Sequence, residues 1–177
     1  MSGPAIGPVN GLVNGVRTAS LAAVVSRFRQ DPSSADTPFA VSVDWLEGYR
    51  TEATLGLHGP LAGDEPLELA GEGSAPAPEE LLLAAAAQCL VVGIVGTASA
   101  RAIAVHSLHV RARGTVDLAV AYGLADGHAG FSSVTLEVDL DAHADREVTE
   151  SIVAEALDRA PIPSSLAHPI PVTAVLT

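Results

Sequence analysis

The chain has 177 residues and a mass of 17.9 kDa, which is long enough for one domain with a real core and does not require two. Its formal net charge of -12 and its pI near 4.7 argue against nucleic acid or an anionic membrane as a partner, because both would repel the protein. The single cysteine cannot form an intramolecular disulfide, which fits a reducing, cytoplasmic location.

The beginning of the chain predicts an arm followed by a short helix. Residues 1–16 are rich in Gly, Pro and Asn, which indicates a loose arm or a short strand that docks elsewhere. They lack the basic and continuously apolar regions of a secretory signal. From Ser20 the apolar residues have helical spacing, and this helix should end near Asp31. We assign residues 1–37 to the arm and helix, and residues 38–177 to one folded domain.

The following segment predicts a β-hairpin and a loop. Apolar residues alternate with polar or small ones in residues 39–45 and again in residues 53–57, a pattern typical of two paired strands. Residues 58–77 are dense in Gly, Pro and acidic residues. They predict a loop with at most a short strand at residues 67–69.

Residues 75–101 include the only cysteine and predict one long helix that continues to about Ala100. Prolines suit its entry, and Glu79 and Glu80 favour its positive N-terminal end. From Leu81 to Ala98 the clearly polar side chains are Gln88 and Thr97. The segment is therefore apolar on every face, as in a core helix or a membrane span.

The core helix is the favoured interpretation of this segment. Its length is at the short end for crossing a bilayer, and much of it is Ala and Gly, which give little transfer energy. The strand-like segments elsewhere need a central element to cover. Its small residues would let another backbone approach closely, so we expect a homodimer in which the same helix of a second copy packs here, and no membrane partner.

After Arg101 the apolar pattern has the period of a strand. Residues 108–120 alternate, and residues 134–140 alternate again after a predicted turn around Asp126 and Gly127. The two stretches predict an antiparallel pair with one buried face and one face in water.

The end of the chain predicts a helix and a last strand. An apolar stripe follows Asp145, a suitable N-cap, and Pro161 should end that helix. Residues 170–176 alternate, and the prolines beside them favour an edge strand. The order of elements predicts an α+β fold and not a series of βαβ units.

Cys89 is the first candidate for chemistry. An unpaired cysteine is often only a small buried filler. If the helix begins near Glu79, Cys89 lies about three turns inside it, where the helix dipole gives little help to a thiolate. A reactive thiol would therefore need a cation from another part of the structure.

Two segments resemble those of a known family. The sequence APEELLLAAAAQCL, residues 77–90, resembles the Pro-Glu-x-Leu-Leu-x-Ala-Ala-x-x-x-Cys signature of the OsmC and organic hydroperoxide resistance (Ohr) family. GYRTEATLG, residues 48–56, resembles the strand that contains the active-site arginine of that family. The resemblance covers roughly residues 39–177. It implies an OsmC-like α+β fold, with antiparallel sheets packed around the long buried central helices of an intertwined homodimer.

The resemblance also implies an activity and its residues. Family proteins are thiol-dependent peroxidases with active sites at the subunit interface. By this resemblance Cys89 is the peroxidatic nucleophile, Arg50 stabilises the thiolate and orients the peroxide, and Glu79 orients Arg50. A guanidinium suits that role, because it lowers the pKa of a neighbouring thiol and donates hydrogen bonds to oxygen. Ten helical residues span about 15 Å, so Glu79 should approach Cys89 from the partner chain, or else the helix must break between them.

One departure from the family pattern changes the expected mechanism. Many members have a second, resolving cysteine after the last helix, and the corresponding residue here is Ala160. We therefore expect a one-cysteine peroxidase that reduces organic hydroperoxides with an external thiol as reductant. The alternative is a divergent binding or accessory protein without peroxidase activity. The histidine spacing favours no metal site, and no cofactor is expected.

Overall fold

The computed structural model describes residues 11–168 and 170–176. The strands are β1 (Leu12–Val13), β2 (Val16–Arg17), β3 (Ser42–Glu47), β4 (Arg50–Thr54), β5 (Leu61–Gly63), β6 (Val105–Val116) and β7 (Phe131–Ala142). The helices are α1 (Thr18–Gln30), α2 (Pro78–Ala100), α3 (Leu118–Ala121), α4 (Arg146–Asp158) and α5 (Pro161–Ala167).

The strands pair only with antiparallel neighbours, in the orders β1-β2, β3-β4-β5 and β6-β7 among the residues described. Together with the long helix α2, they confirm the predicted α+β class. The chain divides into two compact units, one of residues 27–84 and one that combines the residues up to 26 with those from 85 onward.

In the unit of residues 27–84, β3 and β4 form the predicted hairpin around Gly48, whose φ of 58° requires the left-handed conformation that glycine adopts most easily. The sequence missed β5, which adds to the other edge of β4. The short strand that the pattern allowed at residues 67–69 does not form, because Leu67–Leu69 make a single 3-10 turn. A run this short contains too few residues for its alternation to distinguish the two.

The hydrophobic core of the second unit lies between α2 and α4. Its buried members come from both helices, and they are Leu90, Ile94, Ala98, Ile152 and Ala156. A Cβ added to Gly93 would lie 3.3 Å from the Cβ of Ala156, so the two helices approach each other closely there. The predicted α2 helix is confirmed, and these residues make its inner side part of the core.

The β6–β7 pair covers this core with one face. Burial alternates along both strands, and the inward residues that pack on the core include Leu108, Val110, Leu136 and Val138. The outward face is charged: the Arg113 guanidinium donates a 2.7 Å hydrogen bond to Glu137 on the opposite strand. The predicted strand pair, with one dry and one wet face, is confirmed.

Strand β6 ends at Val116, earlier than the alternating pattern of residues 108–120 predicts. Residues 118–121 form α3 and not the end of a strand. Asp117 causes the change, because its carboxylate accepts a 2.9 Å hydrogen bond from the backbone of Ala119 and caps the helix.

Asp145 caps α4 as predicted, since its carboxylate accepts a 2.9 Å hydrogen bond from the Val148 amide. Pro161 follows this helix but also begins α5, which the sequence did not predict; proline is well suited to a first helical position. The predicted edge strand at residues 170–176 is not observed, because these residues have no ladder partner in the described chain.

Part of the predicted N-terminal arm, residues 1–10, lies outside the described residues. The remainder forms the β1–β2 hairpin, which docks through Asn14. Its side chain donates to the Ile103 carbonyl at 2.9 Å and to the Ser99 hydroxyl at 3.1 Å, and it accepts from the Val105 amide at 2.9 Å. Asn14 therefore satisfies polar groups at the end of α2 and the start of β6.

Within the described residues, α2 is long and apolar enough to cross a bilayer on length and composition alone. Such a helix is weak evidence for a span, because core helices of soluble proteins have the same composition. Its residues Leu90, Ile94 and Ala98 belong to the hydrophobic core. This favours the core interpretation over the membrane interpretation.

Candidate functional site

Cys89 lies on α2 beside the buried stripe of that helix. The thiol has no disulfide partner and is half-buried, whereas the next residue, Leu90, is fully buried in the core. Gln88 on its other side is exposed. Cys89 is therefore at the border between the inner and the open face of α2, and part of the residue is accessible to solvent.

The first turn of α2 gives its two glutamates different roles. The Glu80 carboxylate accepts a 3.0 Å hydrogen bond from the backbone N–H of Ala77, the residue before the helix. This is one half of a capping box, which satisfies an amide at the helix entry. Glu79 makes no such bond among the described residues, so its carboxylate is not needed for the cap.

Arg50 is positioned by the β3–β4 turn. The Trp45 indole N–H donates to the Gly48 carbonyl at 2.9 Å, which fixes the turn immediately before Arg50. Arg50 pairs with Glu47 across the hairpin and begins β4. The guanidinium thus extends from the end of a constrained turn and not from a free loop.

The carboxylate beside Arg50 belongs to Glu72. The Arg50 guanidinium nitrogen lies 3.8 Å from Glu72 Oε2, and the side chains are 43% and 72% exposed. In the described part of the chain, no other carboxylate forms an ion pair with Arg50. Sequence reasoning missed Glu72, because it is one of several acidic residues in a segment predicted only as a loop.

Asp64 organises the loop that contains Glu72. It is 1% exposed, and its carboxylate accepts hydrogen bonds from the amides of Glu65, Glu72 and Ser74 and from the Ser74 hydroxyl. These hydrogen bonds, the backbone bond of Ser74 above all, hold the pKa of Asp64 below its ordinary value of 3.8 despite its burial. Asp64 therefore acts as the charged centre of a closed loop.

Glu79 lies in a negatively charged environment. Burial, followed by the charges of Glu79 and Asp64, raises the pKa of the Glu65 carboxyl above its ordinary value of 4.5. Among the residues described, no cationic nitrogen lies within 4.0 Å of Glu79 or Glu65. A guanidinium that arrived beside Glu79 would relieve this repulsion.

The predicted site residues are thus in different places. Glu79 and Cys89 are on the same unbroken helix α2, where ten residues correspond to about 15 Å. Arg50 is in the unit of residues 27–84, and Cys89 is in the other unit. The structure brings Arg50 together with Glu72, and the grouping of Arg50, Glu79 and Cys89 stays a prediction. In the portion of the chain that is described, no cluster of His, Cys, Asp and Glu is arranged to bind a metal ion.

Comparison with known proteins gives one family and a set of solved structures. The family model described as "OsmC-like protein" matches residues 71–175. No match was found among curated protein sequences.

Three of the solved structures illustrate the structural similarity. An OsmC-like protein from Mycoplasma pneumoniae has a TM-score of 0.64 at 17% identity, over 75% of this chain and 89% of its own. An organic hydroperoxide resistance protein OsmC from Legionella pneumophila has a TM-score of 0.57 at 24% identity, over 74% and 91%. The organic hydroperoxide resistance protein OhrB of Bacillus subtilis has a TM-score of 0.50 at 21% identity, over 72% and 90%.

Proposed function

The chain belongs to the OsmC-like family, and from that premise we propose that it is a thiol-dependent peroxidase that reduces organic hydroperoxides at Cys89. The main support is the half-buried position of Cys89 on α2, inside the segment that matches the family. A sealed thiol could not meet a peroxide. Relatives named for organic hydroperoxide resistance support the substrate class and a role in the stress response.

The proposed reaction has an oxidising and a reducing half. The Cys89 thiolate attacks one oxygen of the hydroperoxide, the O–O bond breaks, and the alkoxide leaves as an alcohol after taking up a proton. Cys89 is then a sulfenic acid. An external thiol attacks its sulfur and releases water as a mixed disulfide forms. A second thiol equivalent restores Cys89 and leaves as the oxidised disulfide.

Arg50 and Glu79 supply the electrostatic part of the proposal. The guanidinium favours the thiolate over the thiol and donates hydrogen bonds to the peroxide oxygens. Glu79 orients Arg50, and its negative surroundings beside Glu65 support the arrival of a cation there. Because Glu79 is about 15 Å from Cys89 along α2, the proposal places the Glu79 that serves each thiol on the other subunit of a homodimer.

The surfaces of the single chain support that homodimer. All residues of β3 are exposed, including Trp45 at 72%. On α2, the side opposite the core exposes Val92 at 70%, and a Cβ added to Gly96 would meet nothing within 4 Å. Large apolar side chains left exposed, as on each of these two elements, are typical of interfaces. Two α2 helices packed antiparallel through these open faces would bring the Glu79 end of each helix closer to the other thiol.

The absence of a second cysteine determines which reductant and which cellular compartment we propose. Ala160 is 3% exposed and lies between α4 and α5, so the position is filled by a small apolar side chain. A one-cysteine cycle needs an abundant external thiol at every turnover. We therefore propose a cytoplasmic location, where such thiols are kept reduced.

The experiment is consumption of cumene hydroperoxide by the full chain, with dithiothreitol or glutathione as reductant. Cys89→Ser should abolish turnover and sulfenic-acid labelling, because serine offers no thiolate. Asp158→Asn is the control, since Asp158 is an exposed residue of α4 that has no part in the proposed site, and it should retain activity. Turnover by the Cys89→Ser variant at the wild-type rate would rule out the mechanism.

The alternative function is a binding or accessory protein that keeps the fold without the chemistry. The alanine at position 160 favours it, because an oxidised Cys89 has no internal thiol to rescue it. The pH dependence of Cys89 alkylation distinguishes the two. A peroxidatic thiol should react well below the ordinary thiol pKa of about 8.5, whereas a structural thiol should not.

A further inference from the structure

We propose that Glu72 is a second carboxylate partner of Arg50, positioned by Asp64, and that it competes with Glu79 for the guanidinium. The inference rests on the proposed function in one respect, namely that Arg50 acts on Cys89. The Arg50–Glu72 pair itself is independent of that function. Glu72 and Asp64 are positioning residues in this proposal, because neither touches the reacting sulfur.

The first step is the pairing of Arg50 with Glu72. The guanidinium lies 3.8 Å from Glu72 Oε2, and both side chains keep much of their solvent exposure. Exposed ion pairs at such a distance are weak. Arg50 is therefore in contact with Glu72 but is not fixed by it, which suits a group that must leave one carboxylate for another.

The second step is the connection from Glu72 to Asp64. The Glu72 amide donates to Asp64 Oδ2 at 3.3 Å, and Ser74 donates to the same oxygen through its amide at 2.9 Å and its hydroxyl at 2.8 Å. A Cβ on Gly71 would lie only 1.9 Å from the Glu65 carbonyl oxygen, so the backbone crosses itself tightly just before Glu72. The loop presents Glu72 at a defined place because Asp64 closes it.

The third step places the same loop beside β4. Thr51, next to Arg50, pairs with Gly63, next to Asp64, so the sheet register aligns the arginine with the start of the loop. The hydrogen bonds of Asp64 close the loop but do not by themselves place Glu72 beside Arg50. The pairing of Thr51 with Gly63 brings the loop to the arginine. The competing destination is Glu79, which lies close enough to Glu65 for its charge to raise the pKa of that carboxyl, and two neighbouring carboxylates attract a guanidinium more strongly than the single exposed carboxylate of Glu72.

The test measures Cys89 alkylation by iodoacetamide as a function of pH in the full chain. Glu72→Gln should release Arg50 and raise the alkylation rate at pH values below the thiol pKa, by up to about fivefold for an exposed pair. Glu79→Gln should lower that rate. Glu68→Gln is the matched control, since Glu68 is an exposed glutamate of the same loop, and it should change nothing.

Asp64→Asn should shift the thiol titration in the same direction as Glu72→Gln and should add nothing in the Glu72→Gln background, because both act through Glu72. Asp64→Asn can also unfold the loop, so a double-mutant cycle of Glu72→Gln and Arg50→Gln in urea provides a second measurement. It should show a coupling of up to about fivefold in the unfolding equilibrium constant.

The outcomes separate this inference from the proposed function. If Arg50→Gln leaves the thiol titration unchanged, the proposed role of Arg50 at Cys89 fails, while the urea cycle still tests the pair. If Arg50→Gln lowers reactivity but Glu72→Gln behaves like Glu68→Gln, the competition is overturned and the peroxidase proposal stands. Additive effects in the urea cycle would overturn the pairing itself.

Discussion

Truncation of Val92 should weaken the proposed homodimer without harming the fold. Val92→Ala removes the equivalent of two methylene groups, each contributing about 0.8 kcal/mol when buried. The side chain is 70% exposed in the single chain, so full burial at an interface corresponds to about 1 kcal/mol per subunit. In a symmetric dimer the change counts twice, and a loss of about 2 kcal/mol raises the dimer Kd about 30-fold.

Sedimentation velocity over a range of protein concentrations measures this Kd. If the protein is a monomer, Val92→Ala should instead leave the free energy of unfolding unchanged or raise it by up to about 0.7 kcal/mol, because alanine is the better helix former. Val24→Ala on α1, where the valine is less exposed, serves as the matched control. Equal Kd values for the wild type, Val24→Ala and Val92→Ala would refute association through the open face of α2.

Three further predictions follow from the burial and charge of individual residues. Ile94→Ala should lower the free energy of unfolding by about 2–5 kcal/mol, because Ile94 is fully buried in the core. Urea titration measures this free energy, and a loss below about 1 kcal/mol would contradict the assigned core. The pKa of Asp64 is lowered in the folded state, so its stabilisation should be present above about pH 4 and should disappear as the pH falls through the folded pKa. The urea midpoint difference between wild type and Asp64→Asn should therefore shrink in acid, and a pH-independent difference would argue against the charge. The family resemblance places the resolving cysteine at position 160. Ala160→Cys should therefore form an internal disulfide with Cys89 after peroxide treatment, which mass spectrometry would detect as a loss of about 2 Da. Progressive overoxidation of Cys89 without this disulfide would show that the two positions do not meet.

Elements with long, regular patterns could be predicted from the sequence because local physics determines them. The helix α2 follows from a run of helix-forming residues behind two prolines, and the start of α4 follows from the Asp145 cap. The β6–β7 pair follows from two-residue alternation over many positions. Each of these signals is contained within a single segment, so no knowledge of distant residues is needed.

Short segments could not be predicted in this way. Residues 118–121 alternate like a strand, but one cap from Asp117 turns them into α3. β5 has only three residues, and it is a strand because β4 provides a pairing edge. Residues 170–176 have strand-like alternation without a ladder partner in the described chain. In each case the outcome depends on which hydrogen-bond partner is available, and alternation alone does not contain that information.

The candidate site likewise has some features that the sequence predicts and others that depend on the tertiary structure. The sequence by itself indicated Cys89 as the candidate nucleophile, the acidic start of its helix and the family, since all three are contained in one contiguous signature. Only the tertiary structure decided that Glu80 caps the helix while Glu79 does not, and that Arg50 lies beside Glu72. The reason is physical: Asp64 gathers amides from residues up to ten positions away, and a loop closed by such contacts has no periodicity for a sequence pattern to report.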